Sequence, residues 1–100
     1  MKWYNYLACF FMGVFLVNSF PHILHGISGD AFPTPFANPP GKGHSAPWLN
    51  VLWGLVNMSI CYLLYISSRI SRTKPWSVAL FLLGFVAMSF ELSRALSLKM

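Results

Sequence analysis

The segment that decides the fold is Trp3–Ile27, WYNYLACFFMGVFLVNSFPHILHGI, which contains no Asp, Glu, Lys or Arg. A helix needs roughly 20 residues to cross a hydrocarbon core of about 30 Å, so this segment is long enough to span a membrane. Two further segments follow at 47–68 and 75–97, and the third reaches this length by continuing past Glu91. None alternates as barrel strands do. The sequence predicts an all-α membrane protein, a single domain over 1–100, with three transmembrane helices and a Pro/Gly-rich loop between the first two.

The composition also indicates a membrane protein. The 100 residues are 56% hydrophobic and 9% charged, whereas soluble domains contain about a quarter charged residues. The low charge argues against disorder, and two cysteines are too few for a disulfide scaffold. A cleaved signal peptide beginning near Lys2 is the alternative for the first segment, but its apolar run is long and lacks a clear cleavage site. No basic patch interleaved with aromatic residues suggests a nucleic-acid partner.

The distribution of basic residues predicts the orientation. The short turn 69–74 contains three basic residues, and in a three-span protein it lies on the same side as Lys2. That side then has four basic residues, against three on the opposite side: Lys42, Arg94 and Lys99. Cytoplasmic loops carry the excess of Lys and Arg, most clearly in short loops. We therefore expect a multi-pass protein of a bacterial-type cell inner membrane, with a cytoplasmic N-terminus, an external loop at 28–46 and an external C-terminus.

The loop at 28–46 has two interpretations. Its four prolines preclude a regular helix, and structureless loops of this length are usually functional or disordered. Phe32 and Phe36 favour a loop that dips into the membrane interface or folds back over the helix ends as a lid. The alternative is a passive linker stiffened by polyproline conformation.

The end of this loop suggests a weak anion site. Gly41, Lys42 and Gly43 precede Pro47, a favourable first helical residue. Backbone N–H groups at such a position can bind an anion such as a lipid phosphate, with Lys42 adding charge. A flexible turn in which Ser45 caps the second helix is the simpler interpretation.

Polar and small residues form one stripe on each predicted helix, recurring at helical spacing. The stripes are Asn18, His22, His25 and Gly29; Asn50, Gly54, Asn57 and Cys61; and Gly84, Met88, Glu91 and Ala95. In membranes such stripes face the bundle interior, where they pack helices together or line a site. The sequence predicts a pocket at the outer side, roofed by the loop and lined by Asn18, His22, His25, Asn50, Asn57, Glu91 and Arg94.

The pocket residues suggest two kinds of chemistry. His22 and His25 form an H-x-x-H pair, and Glu91 from another helix could complete a set of two imidazoles and a carboxylate, with His44 as a further ligand. Such a set suits Zn or non-haem Fe, although no cofactor is required by the sequence. Alternatively, Glu91 and Arg94 form an ion pair within one helix that lowers the cost of a carboxylate in the membrane.

These observations leave three hypotheses for function, because the sequence contains no diagnostic catalytic motif. The first is a small, non-enzymatic accessory protein that binds a lipid-like or small ligand, or a partner subunit, in the outer pocket. The second is a metal-dependent enzyme or metal carrier using the His/His/Glu set. The third is an oligomeric proton-coupled transporter in which Glu91 is the proton-coupled site. Membrane lipids are expected partners, as is a second copy or a larger membrane complex, since three short helices bury little surface.

Overall fold

A computed structural model describes residues 3–37, 39, 43–68 and 75–97 of the chain. Three helices account for most of them: α1 (Trp3–Ile27), α2 (Pro47–Ser68) and α3 (Pro75–Ser97). Each is long and apolar enough to span a membrane. The prediction of an all-α, multi-pass membrane protein with three spanning helices is confirmed.

The helix boundaries follow from local sequence. Proline is the first residue of both α2 and α3, where its missing N–H would have no intrahelical partner. At the end of α1, Gly29 has a positive φ of 77°. Its N–H donates to the Gly26 carbonyl at 3.2 Å, and the Asp30 N–H donates to the His25 carbonyl at 2.8 Å. These two bonds form a Schellman motif, which requires a residue such as glycine that tolerates positive φ.

The helix α1 is central, because it packs against both α2 and α3 while these two make little direct contact. Against α2 it runs antiparallel, and a Cβ on Gly54 would collide with Ile23 of α1. Against α3 it is closest where a Cβ on Gly84 would collide with the Phe10 carbonyl oxygen, and one on Gly13 with the Phe81 carbonyl oxygen. Small residues therefore allow close backbone approach at both helix pairs.

The loop between α1 and α2 folds back onto the helix ends. Within it, β1 (Phe32–Pro33) and β2 (His44–Ser45) form a short antiparallel pair in which Phe32 lies opposite Ser45. Phe32 is only 2% exposed. Phe36 instead lies outside, with its ring 4.9 Å from that of Trp53 on α2. Of the two interpretations of the loop, the structure favours the lid over the passive linker for the described residues.

Candidate functional site

The loop joins α1 to α2 at one end of the bundle, which we call the loop end. There a buried polar cluster holds the loop to the helices. At its centre is Asn50, a fully buried residue in the first turn of α2. The Asn50 side chain contacts four groups: His22 Nδ1 at 2.9 Å and the carbonyl oxygens of Phe32, Ser45 and Ala46 at 3.0, 3.2 and 3.3 Å. One amide thus connects α1, both ends of the loop and α2.

The same contacts fix the proton position on a neutral His22 ring. Because the Asn50 amide group nearest the three carbonyl oxygens must be the NH₂ donor, its Oδ1 is the atom that faces His22. An amide oxygen can only accept, so His22 Nδ1 carries the hydrogen and donates it. Nε2 of the neutral ring is therefore unprotonated. A ring held in this way has a defined tautomer and orientation.

The second histidine of the H-x-x-H pair is held by the loop as well. The His25 ring stacks on Phe32, with ring centres 4.1 Å apart and an interplanar angle of 15°. Its Nδ1 lies 3.7 Å from a carboxylate oxygen of Asp30, within ion-pair distance when His25 is protonated. The Phe32 ring also meets His22 edge to face at 5.5 Å. Phe32 therefore contacts both histidines, which the sequence predicts to line a ligand pocket.

A further hydrogen bond of the loop lies beside this cluster. The hydroxyl groups of Thr34 and Ser45 are 2.6 Å apart, and both side chains are buried. The Phe36 N–H also donates to the Thr34 hydroxyl at 3.2 Å. Ser45 was expected to cap α2, but its hydroxyl instead bonds across the strand pair, where it closes the loop on itself.

The predicted pair of asparagines lies deeper in the bundle. Asn18 of α1 donates from Nδ2 to Oδ1 of Asn57 on α2 at 2.9 Å. Asn57 is fully buried, and its own Nδ2 donates to the Trp53 carbonyl at 2.8 Å. Two polar side chains thus join α1 to α2 within the apolar interior, as expected for interhelical hydrogen bonds in membranes.

Glu91 and Arg94 do not join these residues. Glu91 was expected on the interior face of α3, but its side chain is 51% exposed, and it pairs with Arg94, which is 65% exposed. The interior part of the predicted stripe ends at Gly84, because no residue from Phe85 to Leu96 is buried. Glu91 is exposed for a geometric reason. The helix α3 approaches α1 closely at Gly84, but its last turns bury no side chain against the other helices.

The predicted metal set is not assembled in the described part of the chain. Across residues 3–37, 39, 43–68 and 75–97, no three His, Cys, Asp or Glu side chains form a group that could hold a metal ion. Glu91 is on the outer surface of α3, and His44 is an exposed loop residue that contacts the Ala31 carbonyl at 3.3 Å. The structure therefore gives no support to the His22, His25, Glu91 and His44 combination.

Most of the predicted anion site lies outside the described residues, since Gly41 and Lys42 are not among them. The third residue, Gly43, is described. Its N–H donates to the Pro39 carbonyl at 2.7 Å, so this group is already used within the loop.

An apolar cleft lies in the other half of the bundle, where α2 and α3 diverge over α1. Its volume is about 570 Å³, and it is partly open. Eight residues from the three helices line it: Met12, Leu16, Met58, Cys61, Tyr62, Tyr65, Val78 and Phe81. Met12 and Cys61 are buried, whereas Tyr62 and Tyr65 are exposed. The cleft therefore has an apolar floor and two tyrosine hydroxyl groups among its exposed residues.

Sequence reasoning missed this cleft and the role of Phe32. The cleft residues of α2 recur at 58, 61, 62 and 65, one helical face, but in a membrane protein this pattern also fits any lipid-facing or packing surface. Phe32 was recognised as an argument against disorder, yet nothing in its sequence context distinguishes it from Phe36.

Comparison of the chain with protein-family models, curated proteins and solved structures finds no match.

Proposed function

We propose that this chain is a small, non-enzymatic accessory protein of a cell membrane, and that it binds the apolar chain of a lipid-like amphiphile in the cleft between α2 and α3. The observation that carries the proposal is the cleft itself, about 570 Å³ and lined by apolar, thiol and tyrosine side chains. Ligand sites are typically clefts of roughly 300–1,000 Å³ with mostly apolar linings and a few polar groups.

The size of the cleft favours one acyl chain of a lipid over a transmembrane helix of a partner protein as its occupant. An α-helix about 10 Å in diameter fills about 420 Å³ per turn of 5.4 Å. The cleft therefore holds little more than one helical turn, whereas a transmembrane partner helix has more than five turns to accommodate. A flexible acyl chain is narrower than a helix and can enter a cleft of this volume, whose lining includes Met12, Met58 and Phe81.

The polar groups around the cleft suggest where a headgroup lies. Tyr62 and Tyr65 lie towards the end of α2, and Val78 lies near the beginning of α3. By sequence, the segment 69–74 that joins these two helix ends contains three basic residues. Basic residues next to a membrane attract anionic lipid headgroups. We infer an amphiphile with an anionic or hydrogen-bonding headgroup.

The proposed orientation puts the N-terminus and segment 69–74 in the cytoplasm, and the loop 28–46 and the C-terminus outside. It rests on the basic residues of 69–74 and Lys2. The residues that line the cleft then lie in the half of the bundle that faces the cytoplasm. Labelling of a cysteine introduced at Ser28 tests the orientation, since Ser28 is exposed. Reaction with an impermeant reagent from the outside is expected, and reaction only from the cytoplasmic side would reverse the assignment.

Binding is tested with a photoactivatable fatty acid added to the purified protein, with crosslinking measured by mass spectrometry. In the Met58→Trp variant the larger ring fills the cleft, so crosslinking should fall by roughly tenfold, the loss expected when about two CH₂ groups are excluded at about 0.8 kcal/mol each. Leu7→Trp is the matched control, because Leu7 is 49% exposed on α1 and does not line the cleft.

The result must be specific to the cleft. Crosslinks in the wild-type protein should map to the helical segments that contain Met12, Met58 and Phe81. Equal crosslinking of wild type, Met58→Trp and Leu7→Trp would mean that the probe labels the lipid-facing surface in general, and the proposal would be abandoned. Circular dichroism confirms that both variants remain helical.

The other two hypotheses lack comparable support. A metal enzyme or carrier needs Glu91 near the histidines, and the structure places Glu91 on the exposed surface of α3. A proton-coupled transporter would use Glu91 as its proton-carrying site, and within one copy this carboxylate pairs with Arg94 on the outer surface of α3 and lines no path between the three helices of the described chain. Stoichiometric Zn or Fe in the purified protein, lost on His22→Ala, would restore the metal hypothesis.

A further inference from the structure

The exposed ion pair of α3 lies within a membrane-spanning helix. Glu91 lies about 10 Å along the helix axis beyond Gly84, at 1.5 Å per residue, and Gly84 lies against α1 near Gly13. The end of α1 at Ile27 is about 21 Å beyond Gly13 by the same measure. Glu91 therefore lies about 10 Å short of the level at which α1 ends, within the thickness that the bundle spans.

Charged side chains at this depth usually face other protein groups. Asp, Glu, Lys and Arg in spanning helices are rare and almost always face a bundle interior or a water-filled cavity, because lipid solvates them poorly. In this chain the Glu91 and Arg94 side chains are 51% and 65% exposed, on the side of α3 that α1 does not cover. Exposure of both charges at this position is what is expected of a surface that another protein covers in the membrane.

The residues around the pair form a continuous surface, which we call the α3 outer face. It consists of Leu83, Ala87, Phe90, Glu91 and Arg94, which share one side of the helix at spacings of three and four residues, and all five are exposed. Leu83 and Phe90 are 56% and 74% exposed. Ala87, one turn before Glu91, is small enough to let the backbone of a second helix approach.

We propose that the α3 outer face binds a second copy of this chain, in the same membrane orientation, about a two-fold axis along the membrane normal. The charges of Glu91 and Arg94 favour a second copy as the partner that binds this face. One acidic and one basic residue lie one turn apart on the same face, so two such faces are self-complementary: Glu91 of each copy meets Arg94 of the other. The four charges sum to zero and are removed from lipid together. A two-fold interface requires this kind of self-complementary patch.

This proposal is independent of the proposed cleft ligand. The cleft side of α3 carries Val78 and Phe81, which are separated from Ala87 by about 180° and 120° around the helix at 100° per residue. A dimer through the α3 outer face therefore leaves the cleft open in both copies. Loss of dimerisation and loss of ligand crosslinking can be measured separately.

Charge complementation provides the first test. Glu91→Arg puts two positive charges on the face and Arg94→Glu puts two negative ones, so each variant alone should repel itself. Each should dimerise at least roughly tenfold more weakly than wild type, as expected when two interhelical bonds of about 0.6 kcal/mol each are lost and repulsion is added. The two variants mixed should form heterodimers. Energy transfer between two fluorescent labels, attached at the exposed Ser28 through Ser28→Cys, measures all three cases in lipid vesicles.

Recovery in the mixture shows that both variants are folded, so it separates a misfolded variant from a lost contact. If neither variant changes the dimer population, or if the mixture does not recover, the reciprocal pair is wrong. A wild-type chain that stays monomeric in vesicles at all protein-to-lipid ratios overturns the dimer itself.

Disulfide crosslinking provides the second test, because it reports which face is in contact. Ala87→Cys should crosslink two copies under mild oxidation, since a two-fold axis beside Ala87 brings the two thiols together. Leu82→Cys is the matched control, as Leu82 is 52% exposed on the same helix but on another side. The wild-type chain is the negative control, because its cysteines Cys9 and Cys61 are both buried and should not crosslink two copies. Equal crosslinking at Ala87 and Leu82 indicates random collision, and a covalent adduct with a different protein at Ala87 would replace the second copy by that partner.

Discussion

Replacing Asn50 by alanine should release the loop from the helices. The Asn50 NH₂ group has two protons to share among the carbonyl oxygens of Phe32, Ser45 and Ala46, and Oδ1 accepts from His22, so the side chain forms about three hydrogen bonds at a time. Asn50 is fully buried. Its removal also leaves the His22 N–H and the loop carbonyl groups without this partner.

The expected loss of stability in Asn50→Ala follows from the number of hydrogen bonds that the Asn50 side chain forms. A typical intramolecular hydrogen bond contributes about 1 kcal/mol net, and interhelical bonds in membranes average about 0.6 kcal/mol. Three bonds give a loss of about 2–3 kcal/mol in the free energy of unfolding for Asn50→Ala. Unfolding in mixed micelles of increasing denaturing-detergent content, followed by circular dichroism, measures this loss.

Hydrogen exchange distinguishes release of the loop from a general loss of stability. Deuterium uptake at 32–37 and 43–46 should rise strongly in Asn50→Ala, because these backbone segments are held to α2 through its side chain. Asn57→Ala is the matched control: this residue is equally buried and bonds Asn18, but it does not contact the loop. Because Asn57 also donates to the Trp53 carbonyl, Asn57→Ala removes two hydrogen bonds and should cost about 1–2 kcal/mol, while exchange in the loop stays unchanged.

Asn50 does not hold the loop in place if Asn50→Ala costs no more than Asn57→Ala and leaves exchange in the loop unchanged. In that case the strand pair and the burial of Phe32 would hold the loop without the amide.

Two further predictions follow from the packing and from the polar contacts. Gly84→Ala should lower the free energy of unfolding by about 1–3 kcal/mol, because the new methyl group would collide with a carbonyl oxygen of α1. Ala79→Val is the control: Ala79 is exposed on α3, so this variant should leave the free energy of unfolding unchanged in the same detergent titration. In ¹⁵N NMR spectra the neutral His22 ring should show a protonated Nδ1 and an unprotonated Nε2, and the opposite tautomer would contradict the contact with Asn50.

The loop-end cluster and the cleft differ in the side chains that line them. At the loop end, every described polar side-chain atom that is buried has a hydrogen-bond partner, so polarity there is used to fix the loop. At the cleft, side chains such as Met58 and Tyr62 line an opening. The proposed ligand site therefore lies in the apolar half of the bundle, whereas the sequence predicts a pocket among the polar residues of the other half.

The sequence by itself determined the helices, because their formation depends on local properties. An uncharged run such as Trp3–Ile27 must satisfy its backbone groups internally in lipid, and a helix does this within one segment. Pro47 and Pro75 mark helix starts for a reason that involves only the adjacent turn. The pairing of polar residues on α1 and α2 was also predictable in outline, since Asn18 and Asn57 each lie on the polar stripe of their helix.

Only the tertiary structure decided which stripes meet and which residues face outwards. The stripe of α3 begins at Gly84, where close approach to α1 requires a missing side chain, but whether α3 stays in contact with α1 as far as Glu91 depends on the path of the whole helix. Similarly, Phe32 and Phe36 have equivalent sequence contexts, and the first is buried because the loop closes over His25. The cleft exists because α2 and α3 pack on α1 more than on each other, and this arrangement depends on the relative positions of three helices rather than on the periodicity of any one of them.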